Sequence, residues 1–195
     1  MAANHFIVPT GVTPAVTVAR LGAGNSSGDR YSDVDAGKLV KLAAESRYDL
    51  CSAGDAIEGI VVSVETATSG GYSVGGVVRG EPGSTKIFAT ADGLQATAGT
   101  GTLAVGDYVV AGTVTAKGTA LTAYPKVCKA TVQPFTSIVS TVATADTAAA
   151  VKVALDAVLV TLATAIRNTA NAWRVVSLGQ VGTGAVGTTV VIEKV

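Results

Sequence analysis

Ile60-Val61-Val62-Ser63-Val64-Glu65 reads as a β-strand with two unlike faces. Ile60, Val62 and Val64 fall on one side and Ser63 and Glu65 on the other, the period of two that sets one face in a core and the other in water. Residues 39–42, 57–65, 72–79, 86–91, 108–115 and 121–132 repeat the theme. They are short, rich in β-branched side chains and divided by Gly, Asp and Thr. The pattern resumes at 173–178 and 188–195 around the Gly-rich stretch 179–184. Strands do not alternate with helices, so the chain reads as mainly β, a small antiparallel β-barrel or sandwich. Residues 34–195 form its single domain.

Gly54-Asp55 before 56–59 is echoed by Gly106-Asp107 before 108–112, and loosely by Gly187-Thr188 before 189–192. Glycine supplies a positive φ and a short polar side chain bonds nearby backbone, so each pair reads as a turn leading into a strand. Paired carboxylates also serve acid–base chemistry, but Asp55 and Asp107 have no base, metal-ligand set or phosphate loop near them in sequence.

Residues 144–168 differ. Val151, Leu155, Val158, Leu159, Leu162 and Ile166 share about 100° of arc on a helix. Asp146 stands at the N-cap position and Ala148-Ala149-Ala150 propagates helix readily. With Lys152, Asp156 and Arg167 on the far side, the expectation is an amphipathic helix inserted in the β domain and held against the barrel by its apolar stripe. Val153 and Val160 sit on the polar face, either as scattered surface valines or as a contact with a neighbouring copy.

Residues 1–33 read as an extended N-terminal arm, because Pro9 and Pro14 exclude helix and 22–28 is a Gly-rich linker. Phe6, Ile7, Val8, Val12, Val16, Val18 and Leu21 make it too apolar for a solvated tail, and Phe6, Ile7, Val8, Val12 and Val16 are the candidate contacts. Such a segment either crosses its own domain as a first strand or contacts another subunit.

Composition narrows function. Fourteen basic residues balance fourteen acidic ones, and a net charge of zero argues against nucleic acid as the partner. The mean hydropathy of +0.47 calls for a membrane test, yet the longest charge-free run of the helix, 157–166, is far short of the ~20 residues a span requires. The first residues lack a basic region followed by an apolar run, so neither a secretory signal nor a membrane is expected. His5 lies in the arm without a nucleophile at motif spacing. Cys51 and Cys128 belong to no metal or redox motif and read as small buried hydrophobes. The glycines of 22–28 miss the dinucleotide spacing, and Gly83-Ser84-Thr85-Lys86 reverses the P-loop order. No catalytic, cofactor-binding or metal-ligating residue is assigned, and no enzymatic activity or cofactor is expected.

The apolar arm, Asp35-Ala36-Gly37-Lys38-Leu39-Val40, Ala53-Gly54-Asp55 leading into Glu58-Gly59-Ile60-Val61, and the closing Trp173-Arg174-Val175-Val176 resemble the head decoration (cement) proteins of tailed bacteriophages. The resemblance covers about 33–130 and 172–195. It implies a structural virion protein, made in the host cytoplasm, that binds the outside of an assembled capsid and clamps neighbouring major capsid protein subunits. It also implies a homo-oligomer, a trimer or less often a dimer. The inserted helix departs from the compact form of the family, so it either forms the self-contact or points outward. The alternative is a receptor- or glycan-binding β module of a tail or adhesin. Gly/Thr-rich 96–102 would present the ligand there, although aromatics for sugar stacking are only 5% of the chain.

Overall fold

Ten strands and one long helix carry the chain, in a computed structural model that describes residues 7–8, 14–22, 30–65, 73–92, 102–130, 147–170, 172–179 and 182–195. The strands are β1 (Val16–Leu21), β2 (Leu39–Leu42), β3 (Tyr48–Leu50), β4 (Gly59–Glu65) and β5 (Ser73–Val78), then β6 (Lys86–Ala91), β7 (Tyr108–Ala111), β8 (Lys126–Lys129), β9 (Trp173–Ser177) and β10 (Thr189–Lys194). The helix α1 (Ala148–Ala170) lies between β8 and β9. The mainly β, barrel-forming architecture with one inserted helix is as the strand pattern predicts, but there are two closed five-stranded barrels, not one.

The two barrels are one motif used twice. The first runs β1-β3-β2-β4-β5 and the second β6-β8-β7-β9-β10, with β1·β3 and β6·β8 the only parallel pairs among the described strands. Equivalence extends to single hydrogen bonds. Gly37 N–H donates to Val61 O and Val61 N–H to Lys38 O; in the second barrel Gly106 N–H donates to Val175 O and Val175 N–H to Asp107 O. A bulge falls at the same place in both, at Val62 and Val176. Gly106-Asp107 therefore corresponds to Gly37-Lys38, not to Gly54-Asp55, whose likeness is that of one turn type. Gly54, Gly106 and Gly187 all have positive φ. Asp55 accepts the N–H of Ser52 at 2.6 Å and Asp107 that of Ala104 at 2.9 Å, so both carboxylates hold turns.

The bulge also revises the reading of β4. Ile60, Val62 and Val64 do not share one face: Val61 and Val64 pack in the first barrel, and Ile60 and Val62 pack on the second. An extra residue at Val62 shifts the phase of a strand whose two faces are both partly buried.

The barrel interiors match position for position but differ in size. Leu21, Tyr48 and Gly59 in the first become Ala91, Val127 and Trp173 in the second. Two large-to-small exchanges are offset by one indole, as close packing demands. A Cβ on Gly59 would come within 2.6 Å of Val77 Cγ1, so the first barrel has no such room.

The barrels share a core. Leu39, Ile57, Ile60 and Val78 of the first join the cluster that fills the second. The connection 51–58 lies along β7, Gly54 N–H donating to Ala111 O and Ala111 N–H to Asp55 O, and Trp173 Nε1–H donates to Ile57 O at 3.1 Å. The positions equivalent to Leu39, Ile60 and Val78 are Tyr108, Arg174 and Glu193, where Glu193 lies 3.7 Å from Arg174 and 3.8 Å from Lys86.

Of the segment 1–33 read as an arm, Val16–Leu21 is β1, paired along its length with β5. Ile7 bridges Ile87 antiparallel and Val8 N–H donates to Lys86 O, so the described part of the arm crosses its own domain.

Helix α1 occupies the place in the second repeat that 51–58 holds in the first. Thr147 Oγ1 accepts the N–H of Ala150 at 3.2 Å and caps it; Asp146 lies outside the described residues. The expectation that the apolar stripe packs on a barrel is not met. Leu155, Leu159 and Leu162 are 50%, 60% and 40% exposed, and among the described residues α1 forms no packed interface with any strand.

Candidate functional site

Large exposed apolar side chains concentrate on two elements. On α1 they are Val153, Leu155, Leu159, Val160 and Leu162, and on the outer face of β1 they are Val16 and Val18. Helical geometry aligns Val151, Leu155, Val158 and Leu162 at spacings of four, three and four, with Leu159 on the shoulder. On β1 the usual order is inverted. Leu21 is buried and Ala19 packs against the first barrel's cluster, while Val16 and Val18 are exposed. Such patches on a soluble surface mark association sites.

The contacts expected from sequence are divided by the fold. Ile7 and Val8 are half-buried against their own domain, Ile7 packing on the shared core. Val16 is half exposed on β1. Phe6 and Val12 lie outside the described residues. Val153 and Val160 are on the helix surface, 70% and 67% exposed, opposite the leucine row. Val18, another of the arm's apolar residues, is 76% exposed on the same strand as Val16.

The polar groups are engaged in holding the fold. Asp35 and Lys38, both fully buried, pair at 2.5 Å. Lys38 Nζ also donates to Ala116 O at 2.6 Å, and Asp35 accepts N–H donors from Gly118 and Ser32, each at 2.8 Å. This pair ties the start of β2 to the β7–β8 connection and so pins one barrel to the other. A cleft beside it, lined by Lys38, Leu39, Val114, Leu121, Tyr124 and Pro125, encloses about 40 Å³, room for a few waters.

Burial pushes the Cys51 and Cys128 thiols up to about 12, and both are free and buried, so they are protonated and inert at neutral pH. Burial lowers Lys194 to about 8; its Nζ stands 5.8 Å from the Trp173 ring centroid. Among the described residues no group of three or more His, Cys, Asp or Glu could hold a metal, and no helix is long and apolar enough to cross a membrane.

No protein-family model matches the chain, and neither a curated protein nor a solved structure is significantly similar to it. The fold and the two apolar surfaces define the class so far as geometry goes: a duplicated five-stranded β-barrel protein carrying an exposed amphipathic helix.

Proposed function

We propose that this protein is a structural virion component, a decoration (cement) protein that binds the exterior of an assembled bacteriophage capsid as a homo-oligomer. It clamps neighbouring major capsid protein subunits. The observation that carries this reading is the set of exposed leucines on α1, Leu155, Leu159 and Leu162, on a helix that among the described residues packs on neither barrel. Covering each such side chain contributes roughly 1.5–3 kcal/mol, and a lattice multiplies modest contacts into lasting attachment. A zero net charge suits close association of like copies.

The row also indicates how copies meet. Val151, Leu155, Val158 and Leu162 follow the four-three spacing of a coiled-coil seam, with Leu at a and β-branched Val at d. Leu159 widens the seam to three apolar positions per heptad. Both features favour bundles of more than two helices, so α1 forms the self-contact of a trimer. The full chain should sediment at three times its 19.2 kDa, and Leu155→Lys with Leu162→Lys should sediment as a monomer with unchanged β-sheet circular dichroism. A trimer that survives both substitutions removes α1 from the self-contact. The capsid role is tested by co-sedimentation: the protein should pellet with expanded heads and not with soluble capsid protein. A protein left in the supernatant with intact heads contradicts it.

A further inference from the structure

The duplication brings two equivalent cations together where the barrels meet. Val78 and Glu193 are counterparts in register, so Arg79 and Lys194, one residue further on, are counterparts too. Gly80 sets the two strand ends against each other. Its φ is +83°, and a Cβ there would lie 3.2 Å from Lys194 Cβ and 3.1 Å from Trp173 Cζ2. Gly83 N–H donates to Lys194 O at 2.8 Å and Lys194 N–H donates to Thr85 O at 3.0 Å, which fixes the end of β10. Lys194 is only 6% exposed, while Arg79 lies open to solvent. Lys38, Lys41, Lys86, Lys129 and Lys152 each pair with a carboxylate. Lys194 does not. Among the described residues neither its Nζ nor the Arg79 guanidinium has a hydrogen-bond or ion-pair partner. Nζ has only the Trp173 ring, at 5.8 Å from the centroid. Glu58, the acid that acts on Lys194, already accepts the Leu42 N–H at 3.2 Å. An ammonium taken out of water without a counter-ion is costly. Burial accordingly lowers the Lys194 pKa to about 8, with Glu58 opposing the shift and Arg79 adding to it.

We propose that Arg79 and Lys194 form a binding site for a single carboxylate group carried by a ligand. Two cations beside one acid leave the site one positive charge, which a carboxylate neutralises; the second charge of a phosphate would be repelled by Glu58. The two cations divide the work. The planar guanidinium of Arg79 takes the two carboxylate oxygens side by side, a geometry that an ammonium does not offer. Lys194 supplies a point charge that folding has already largely desolvated, so its attraction for an anion is less screened than that of a surface lysine. The carboxylate belongs to a small organic acid or to an Asp or Glu side chain of a partner protein, and the chemistry at the site is the same for both. The site does not depend on the capsid reading.

The test uses the full chain with isotope-labelled lysine and follows the Lys194 side-chain NMR signal. Acetate, the capped peptide acetyl-Gly-Glu-Gly-amide, phosphate and chloride are each added at constant ionic strength. Acetate should move the signal saturably and raise the pH at which Lys194 titrates, whereas chloride should do neither. Binding should weaken as the pH rises through the Lys194 pKa, because the neutral amine no longer attracts an anion. Arg79→Gln, a change at an exposed side chain, should weaken acetate binding about tenfold, the loss expected for a charge-assisted hydrogen bond. A saturable shift with the peptide as well assigns the carboxylate to a protein side chain; a shift with acetate and not the peptide assigns it to a small organic acid. An acetate response no different from that of chloride overturns the proposal. So does wild-type acetate binding by R79Q, or phosphate that binds more tightly than acetate. No capsid enters the experiment, so its failure leaves the capsid reading untouched and the failure of that reading leaves this site standing.

Discussion

Replacing Asp35 with alanine should lower the free energy of unfolding by about 3–5 kcal/mol, the cost of stranding a buried charge. Lys38 would keep only the Ala116 carbonyl, and the Ser32 and Gly118 N–H groups would lose their acceptor. The pair need not be a net stabiliser, because removing two charges from water offsets most of their attraction. Asp35→Leu combined with Lys38→Met should therefore recover much of the loss, since both sites are already enclosed. Equilibrium denaturation of the two variants decides the matter. A loss below 1 kcal/mol for Asp35→Ala would mean that this pair does not pin the barrels together.

Trp173→Ala should cost a similar amount, about 3–5 kcal/mol, through the void left in the second barrel. The indole is fully buried, fills space that Ala91 and Val127 leave where the first barrel has Leu21 and Tyr48, and donates to Ile57 O across the barrel junction. Because the core is continuous, unfolding should remain a single transition at a lower denaturant midpoint. Trp173→Phe, which keeps most of the volume and loses the donor, should cost distinctly less. If the alanine variant unfolds in two steps, or the phenylalanine variant loses as much, the shared-core account of Trp173 fails.

The contrast between legible and hidden parts of this fold has physical causes. Strands with simple surroundings were plain: 86–91 matches β6 end to end, and β9 and β10 stand where β-branched runs end at glycines. The helix was plain from its periodicity. Its environment was not, because an apolar stripe demands cover without saying whose. β1 was hidden because only Ala19 and Leu21 of it pack on a core and its valines are exposed, so alternation alone marks no core. The bulge at Val62 turned Val64 to the side of Val61, away from Ile60 and Val62, out of the phase that a regular strand would give it. The duplication was harder still. Interior positions exchange sizes between repeats, and the second repeat carries α1 where the first has a short connection. What survives is backbone register and the positive φ of Gly37 and Gly106, which one line of sequence cannot align. Of the association surface, Val16, Val153 and Val160 were visible as candidates. The leucine row was seen but assigned to the interior, and Val18 needed the strand itself.

The capsid role rests on contact with a lattice, and direct imaging tests it best. Emptied, expanded bacteriophage heads should be mixed with the purified protein and reconstructed by electron cryomicroscopy. The account predicts added density on the outer surface at the junctions between capsid subunits, with two small barrels in each copy. Bare heads, at protein concentrations well above that of the capsid subunits, would contradict it.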